Sequence, residues 1–358
     1  MRIAFFSPTL SGIGGMEAAI KNLMHGFQAL GDQAHLFLLG GSYNQDWLSG
    51  LECTQISSPD DARATRLAKY AFGSVRAIAI WRPDAIICAD ATTIQMARLG
   101  RLLSGASKVP IASWIHFPLE GLRLKEKLSE ADFHLAISGQ IAEDLRAYLP
   151  AQREKVFTIY NAVQSEASSL VPRPASPVFL YAGRLHFDDH KRVNDILLAV
   201  AKLRGAWRLK VIGVPPVDHP EYGTRLHALA EELGIAGNIE WMGWQKDPWR
   251  AAGEVSALVL SSRHEGFPMV LIEAISRGVA CVASACEGSL EIMRPGENGW
   301  IYPVADIDQL AQRLQAIVDD SAILPPQVQV QKTALRFSAE AVAQRAKDAI
   351  LQVKSAMA

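Results

Sequence analysis

Residues 5–15 read FFSPTLSGIGG and residues 179–184 read FLYAGR. Each is an apolar run that stops at a small-residue turn, and each opens one half of the chain. After both of them the same pattern recurs: short apolar runs alternate with longer amphipathic ones. In the first half Ile3–Ser7, His35–Leu39, Asp84–Ala89, Pro110–His116, Phe133–Ser138 and Val156–Tyr160 predict strands. The stretches Met16–Leu30, Arg63–Ile80, Thr92–Leu103 and Gly139–Leu149 between them predict helices. In the second half the strands are Val178–Ala182, Arg208–Ile212, Ile239–Met242, Ala257–Leu260, Val279–Ala283 and Gly299–Tyr302. Its helices are Val193–Leu203, Glu221–Leu233, Met269–Arg277 and Ile307–Val318. Strands rich in Val, Ile, Ala and Leu that alternate with helices predict parallel sheets covered on both faces. Residues 164–177 (QSEASSLVPRPASP) have linker composition. The fold class is α/β: two doubly wound Rossmann-like domains, 1–163 and 178–335, facing a central cleft. Ligands bind beyond the carboxyl ends of such strands.

Composition excludes several classes. The 358 residues suit two domains at about 150 residues each. With 36 basic against 37 acidic residues the chain is no general binder of nucleic acid. Cys53, Cys88, Cys281 and Cys286 lack zinc-site spacing and lie in apolar surroundings, which predicts reduced thiols in a cytoplasmic protein. The first apolar run, Ile3–Phe6, is too short for a secretory signal, and no run of 18 apolar residues exists.

Four constellations carry chemistry. Glu265-Gly-Phe-Pro-Met-Val-Leu-Ile-Glu273 places two glutamates eight residues apart, with Pro268 expected at the first helical position. The amides of Met269 and Val270 would then face an anion at a positive helix end. Taken alone, a helix start with one solvated glutamate explains the stretch about as well. Arg184, directly after a strand, and Lys191, before a helix, suit a diphosphate, though most such cations are merely solvated. Ser11-Gly-Ile-Gly-Gly-Met-Glu17 offers loop amides to phosphate through Gly14 and Gly15. It fails as a dinucleotide fingerprint because Glu17 stands where the third glycine belongs, so a dehydrogenase is disfavoured. His116, in Trp-Ile-His-Phe (114–117), ends a strand on the ligand side, where a lone histidine is more often structural than catalytic.

Taken in order, Gly-Gly-Met-Glu (14–17), Trp-Ile-His-Phe (114–117), Tyr160-Asn161, Gly183-Arg184 with Lys191, and Glu265 with Glu273 resemble the family-4 retaining glycosyltransferases of the GT-B fold. SGIGGMEAAI, SWIHFPL, ADFHLAISG, WMGWQKDPW and EGFPMVLIEA are similar to the bacterial lipopolysaccharide core 1,6-galactosyltransferase group. The resemblance covers nearly the whole chain. It implies transfer of a hexose, read as galactose, from a UDP-sugar to a lipopolysaccharide core glycolipid. Arg184, Lys191 and the amides of Gly14, Gly15, Met269 and Val270 would hold the diphosphate. Glu265 would bind the donor sugar, Glu273 the ribose hydroxyls, and His116 the sugar near the reacting carbon. Apart from the resemblance, Met242-Gly243 is read as part of the base pocket, with core packing as the plainer account. No metal and no other cofactor is expected. The resemblance also implies that the final helix, 336–358, crosses back to the first domain. The chain departs from the family's common Gly-Asp-Gly at Gly213-Val-Pro-Pro216.

The acceptor side is read from charge. Residues 62–128 carry 11 Arg and Lys against 4 Asp and Glu. Arg63, Arg66, Lys69 and Arg76 interleave with apolar and aromatic residues, a pattern that suits an anionic membrane surface or a phosphorylated glycolipid. A core helix with one basic face is the plainer account. The expected location is cytoplasmic, peripheral on the inner face of the bacterial inner membrane. The residues by themselves leave open a nucleotide-sugar epimerase or a noncatalytic sugar-binding module.

Overall fold

The computed structural model describes residues 1–116, 119–164, 169–187 and 189–357. Phe117 and Pro118, part of the linker (165–168), Asp188 and Ala358 lie outside the described residues. The chain divides into two compact units, Met1–Gln164 with Phe337–Ala358, and Ser165–Arg336.

The first unit contains β1 (Arg2–Ser7), α1 (Gly15–Ala29), β2 (Gln33–Leu38), β3 (Cys53–Gln55), α2 (Arg63–Trp81), β4 (Ala85–Cys88), α3 (Ala91–Leu103), β5 (Ile111–Ile115), β6 (Phe133–Ala136), α4 (Gly139–Tyr148) and β7 (Val156–Thr158). Its seven strands lie in the order β3-β2-β1-β4-β5-β6-β7, all parallel. The second unit contains β8 (Val178–Ala182), α5 (Val193–Val200), β9 (Arg208–Ile212), α6 (Glu221–Glu232), β10 (Ile239–Gly243), α7 (Pro248–Ala252) and β11 (Ala257–Leu260). It continues with α8 (Met269–Ser276), β12 (Ala280–Ser284), α9 (Glu287–Ile292), β13 (Gly299–Tyr302), α10 (Ile307–Asp319) and α11 (Gln327–Thr333). Its six parallel strands run β10-β9-β8-β11-β12-β13. Both sheets are Rossmann-like, and the direction of winding reverses between β1 and β4 and between β8 and β11. These switch points are where doubly wound sheets bind ligands.

The elements follow from local chemistry. β1, β4, β5 and β6 are buried along almost their whole length, because helices cover both sheet faces. Phe5, Phe27, Trp114 and Phe133 fill the first core, and Phe179, Tyr181, Leu209 and Val259 belong to the second. Gly213 has φ +144°, and a Cβ there would lie 1.8 Å from the Gly183 carbonyl oxygen, so the ends of β8 and β9 close together only with glycine. The proline pair at 215–216 therefore starts from a fixed point.

The last helix, α12 (Ala339–Met357), packs on α1 of the first unit. Its buried face is Val342, Ala343, Ala346, Ala349, Ile350 and Val353, the three-and-four spacing of one helical stripe. Gly26 of α1 admits this approach, since a Cβ there would sit 2.1 Å from the Ala339 carbonyl oxygen. Lys347 pairs with Asp32 at 2.8 Å, Lys354 pairs with Asp84 at 2.9 Å, and Arg345 donates to the Ile159 carbonyl at 3.0 Å.

Some elements differ from the sequence expectation. β3 is absent from it, because three residues at a sheet edge are too few to show a period. The short helices α7, α9 and α11 are absent from it for the same reason. The helix expected over Val193–Leu203 stops at Val200.

Candidate active site

In the second unit the loops after β8 and β11 meet at the switch point. The Tyr181 hydroxyl donates to the Arg184 carbonyl at 2.6 Å and shapes the turn after β8. Burial pushes that phenol far above its ordinary range. Arg184 itself is exposed, and its guanidinium makes no hydrogen bond or ion pair to another described residue. Lys191 and Glu265, separated by 74 positions, form an ion pair at 2.5 Å, with side chains only 16% and 14% exposed. Ser262 donates to the same carboxylate oxygen at 2.7 Å. The loop that carries Lys191 is docked on the end of β11: Ser261 donates to the Lys191 carbonyl at 2.8 Å, and the Arg263 amide donates to the His190 carbonyl at 2.8 Å. Asp189 adds ion pairs to Arg192 and Arg263.

Pro268 corrects an expectation. It is the N-cap of α8 rather than its first helical residue: its ψ of 101° is extended, and its carbonyl accepts the Leu271 amide at 3.1 Å. Met269 and Val270 are thus the first two helical residues, whose amides have no carbonyl behind them. Four residues beyond Met269, Glu273 is no solvated glutamate. Its Oε2 accepts the Trp249 indole N–H at 3.2 Å, and burial raises its carboxyl above the ordinary value. Arg277 lies over the Trp249 ring, 5.2 Å from its centre.

In the first unit the glycine loop occupies the switch point after β1. Glu17 Oε1 accepts the Gly12 amide at 2.6 Å and the Ser11 hydroxyl at 2.9 Å, and its Oε2 accepts the Gly14 amide at 3.1 Å. This corrects the expectation for Gly14, whose amide is already given to a carboxylate. Gly15 keeps a first-turn amide with no carbonyl partner among the described residues. His116 follows β5 directly. Its ring packs edge-on against Trp114 at 4.3 Å, burial pushes its imidazole down to about 3, and its buried Nε2 has no partner among the described residues.

Residues 13–167 match the family described as Glycosyltransferase Family 4, and residues 164–337 match Glycosyl transferases group 1. The chain is 33% identical over 329 residues to the lipopolysaccharide 1,6-galactosyltransferase of Salmonella typhimurium strain LT2, covering 89% of this chain and 90% of that one. It is 33% identical over 317 residues to the Escherichia coli strain K12 enzyme of the same name, with 86% of each covered. The apo structure of the lipopolysaccharide outer core galactosyltransferase WaaB superposes with a TM-score of 0.79 at 32% identity, over 98% of this chain and 99% of that one. The chain belongs to the family-4 glycosyltransferases.

The glycosyltransferase thus has its two Rossmann-like domains in the GT-B class. Of its sequence-predicted donor residues, the structure brings Lys191 and Glu265 into contact and sets Arg184 on the same loop as Lys191. Met242 is set apart: it is a half-buried bulge residue on the edge strand β10, two strands from β8. On α2 of the first unit, Arg63 and Arg76 are exposed, Arg66 donates to the Pro59 carbonyl at 3.2 Å, and Lys69 pairs with Asp61 at 2.8 Å. Phe72 and Ile80 of the same helix are 79% and 67% exposed. Among the described residues no group of three or more His, Cys, Asp or Glu side chains could hold a metal ion. No described helix is long and apolar enough to cross a membrane. Sequence reasoning missed Ser261, Ser262, Trp249 and the bracing by Glu17. Only the position of Glu17, in the slot of a fingerprint glycine, gave any signal.

Proposed function

We propose that the glycosyltransferase moves galactose from UDP-galactose to a lipopolysaccharide core glycolipid, with retention at the anomeric carbon and without a metal ion. The observation that carries this reading is the Lys191–Glu265 pair at the second switch point, beside Arg184 and the first-turn amides of α8, which have no partner among the described residues. The names of the two curated relatives supply the sugar and the acceptor class.

The chemistry follows from the charges. Departure of UDP leaves negative charge on the β-phosphate, and Arg184, Lys191 and the amides of Met269 and Val270 neutralise it. Lys191 reaches the diphosphate already oriented by Glu265, whose other oxygen accepts hydroxyls of the donor sugar. Glu273, fixed by the Trp249 indole, accepts the ribose hydroxyls. His116, neutral at physiological pH, offers Nε2 to the sugar, and Gly15 offers its amide to phosphate. The acceptor hydroxyl attacks on the face from which UDP leaves, and the departing phosphate oxygen takes its proton. The protein contributes positioning and electrostatic stabilisation rather than a glycosidase-type carboxylate pair. With two cations and a helix end on the diphosphate, no divalent ion is needed. The basic helix α2, with exposed Phe72 and Ile80, holds the enzyme at the anionic inner face of the bacterial inner membrane, where its lipid-linked acceptor lies.

The test is incubation of UDP-galactose with truncated core glycolipid in the presence of EDTA. Transfer with an α-linked product supports the reading. A strict requirement for Mn²⁺ or Mg²⁺ would overturn the metal-free part of it. Conversion of the nucleotide sugar without acceptor would replace transfer by epimerisation.

A further inference from the structure

We propose that Glu17 is a positioning residue for the transfer step, acting through the glycine loop of the first unit; this rests on the transferase reading above. A glycine turn between a parallel strand and a helix ordinarily turns its amides toward an external anion. Here the chain supplies the anion itself. The Glu17 carboxylate, in a residue only 4% exposed, collects the amides of Gly12 and Gly14 and the hydroxyl of Ser11. A carboxylate so withdrawn from water depends on those donors. The N-cap residue of α1 is a glycine, so only the glutamate arm of a capping box exists, and it reaches back past the cap into the loop.

The other side of the loop is clamped as well. The amides of Tyr43 and Asn44 donate to the carbonyls of Leu10 and Ser11, each at 3.1 Å. Gly12 has φ +84°, and a Cβ there would lie 2.1 Å from the Asn44 carbonyl oxygen, so this approach excludes any other residue. Between the two clamps the chain has little freedom, and the directions of the next amides, Gly15 and Met16, are set by bonds to Glu17. Those two amides open α1 and make no hydrogen bond to a carbonyl among the described residues. The Glu17 charge also offsets the positive end of α1. The loop therefore contributes orientation toward a substrate phosphate more than attraction, which predicts an effect on turnover rather than on nucleotide affinity.

Glu17→Gln keeps the side-chain length but turns an NH₂ group against a backbone N–H. Glu17→Asp keeps the charge but is one methylene too short to reach both amides. Each should lower kcat for galactose transfer about tenfold to a hundredfold while the Kd for UDP stays within about twofold, because the cations of the second unit are untouched. Ser11→Ala spares both backbone bonds and should keep kcat within about threefold of wild type. In the wild-type protein the Gly12 and Gly14 amides should exchange with deuterium more slowly than that of Gly15. Active wild type with unaffected Glu17 variants overturns the proposal and leaves the transferase reading standing. So does a parallel fall of kcat, UDP affinity and thermal midpoint, which marks a merely structural role. Equal exchange at Gly12, Gly14 and Gly15 overturns it even if no variant folds. Wild type that transfers no galactose sinks the transferase reading and the role of Glu17 with it.

Discussion

Removing both partners of the Lys191–Glu265 pair should cost less stability than the sum of removing each alone. Lys191→Met leaves the Glu265 carboxylate, 14% exposed, with the Ser262 hydroxyl as its remaining side-chain donor among the described residues. Glu265→Gln leaves an ammonium that is 16% exposed against a neutral amide. Exposed ion pairs are worth about 0–1 kcal/mol, and breaking a fully buried one costs about 3–5 kcal/mol. This pair lies nearer the buried case, which places each single substitution at about 1–3 kcal/mol. The double variant has no stranded charge, so it should recover about 1–2 kcal/mol relative to the sum of the singles. Urea midpoints of the wild type, both singles and the double, read at a common slope, give the coupling directly. Single costs that add within about 0.3 kcal/mol would refute the view that the two charges are preorganised against each other. The same three variants should all lose transfer activity, since Lys191 and Glu265 are read as donor ligands whatever their coupling.

Arg184→Ala should behave in the opposite way. The exposed guanidinium, without a partner among the described residues, predicts a stability change within about 0.5 kcal/mol, while kcat/KM for UDP-galactose falls by about 2–5 kcal/mol as a desolvated diphosphate partner is lost. Glu273 gives a pH prediction. Its carboxyl is raised by burial, so the folded state holds the proton more tightly than the unfolded one, and its ionisation costs stability as pH rises through the folded value. Glu273→Gln should therefore gain stability relative to wild type as pH rises from the acid range to neutrality; a difference in urea midpoint that does not change with pH would refute this. On α2, Phe72→Glu with Arg76→Glu should abolish sedimentation with vesicles containing anionic lipid at low salt while turnover of a soluble acceptor analogue persists. Equal sedimentation of wild type and variant would remove α2 from the membrane.

Much of the fold is legible in the chain because buried parallel strands have to be apolar on both faces. Val178–Ala182, Arg208–Ile212, Ala257–Leu260 and Gly299–Tyr302 stand in the structure at the residues where their apolar runs predict them. β3 is not legible: Thr54 and Gln55 are exposed, and only pairing to Leu36–Leu38 of β2 makes the segment a strand. The two glutamates of the α8 segment are likewise visible in sequence, since a strand, a loop and a proline-capped helix are local features. Local spacing could say nothing of what each glutamate touches. Trp249 reaches Glu273 from a five-residue helix that has no detectable period. Lys191 reaches Glu265 because strand order sets β8 beside β11, although β9 and β10 come between them in the chain. Periodicity and residue type thus determine the elements, the α/β class and the chemistry offered at each strand end, because these depend on neighbours a few residues apart. Which strand ends meet depends on the direction of winding, and only the folded sheets decide that Glu17 closes the glycine loop and that Lys191 and Glu265 share one site.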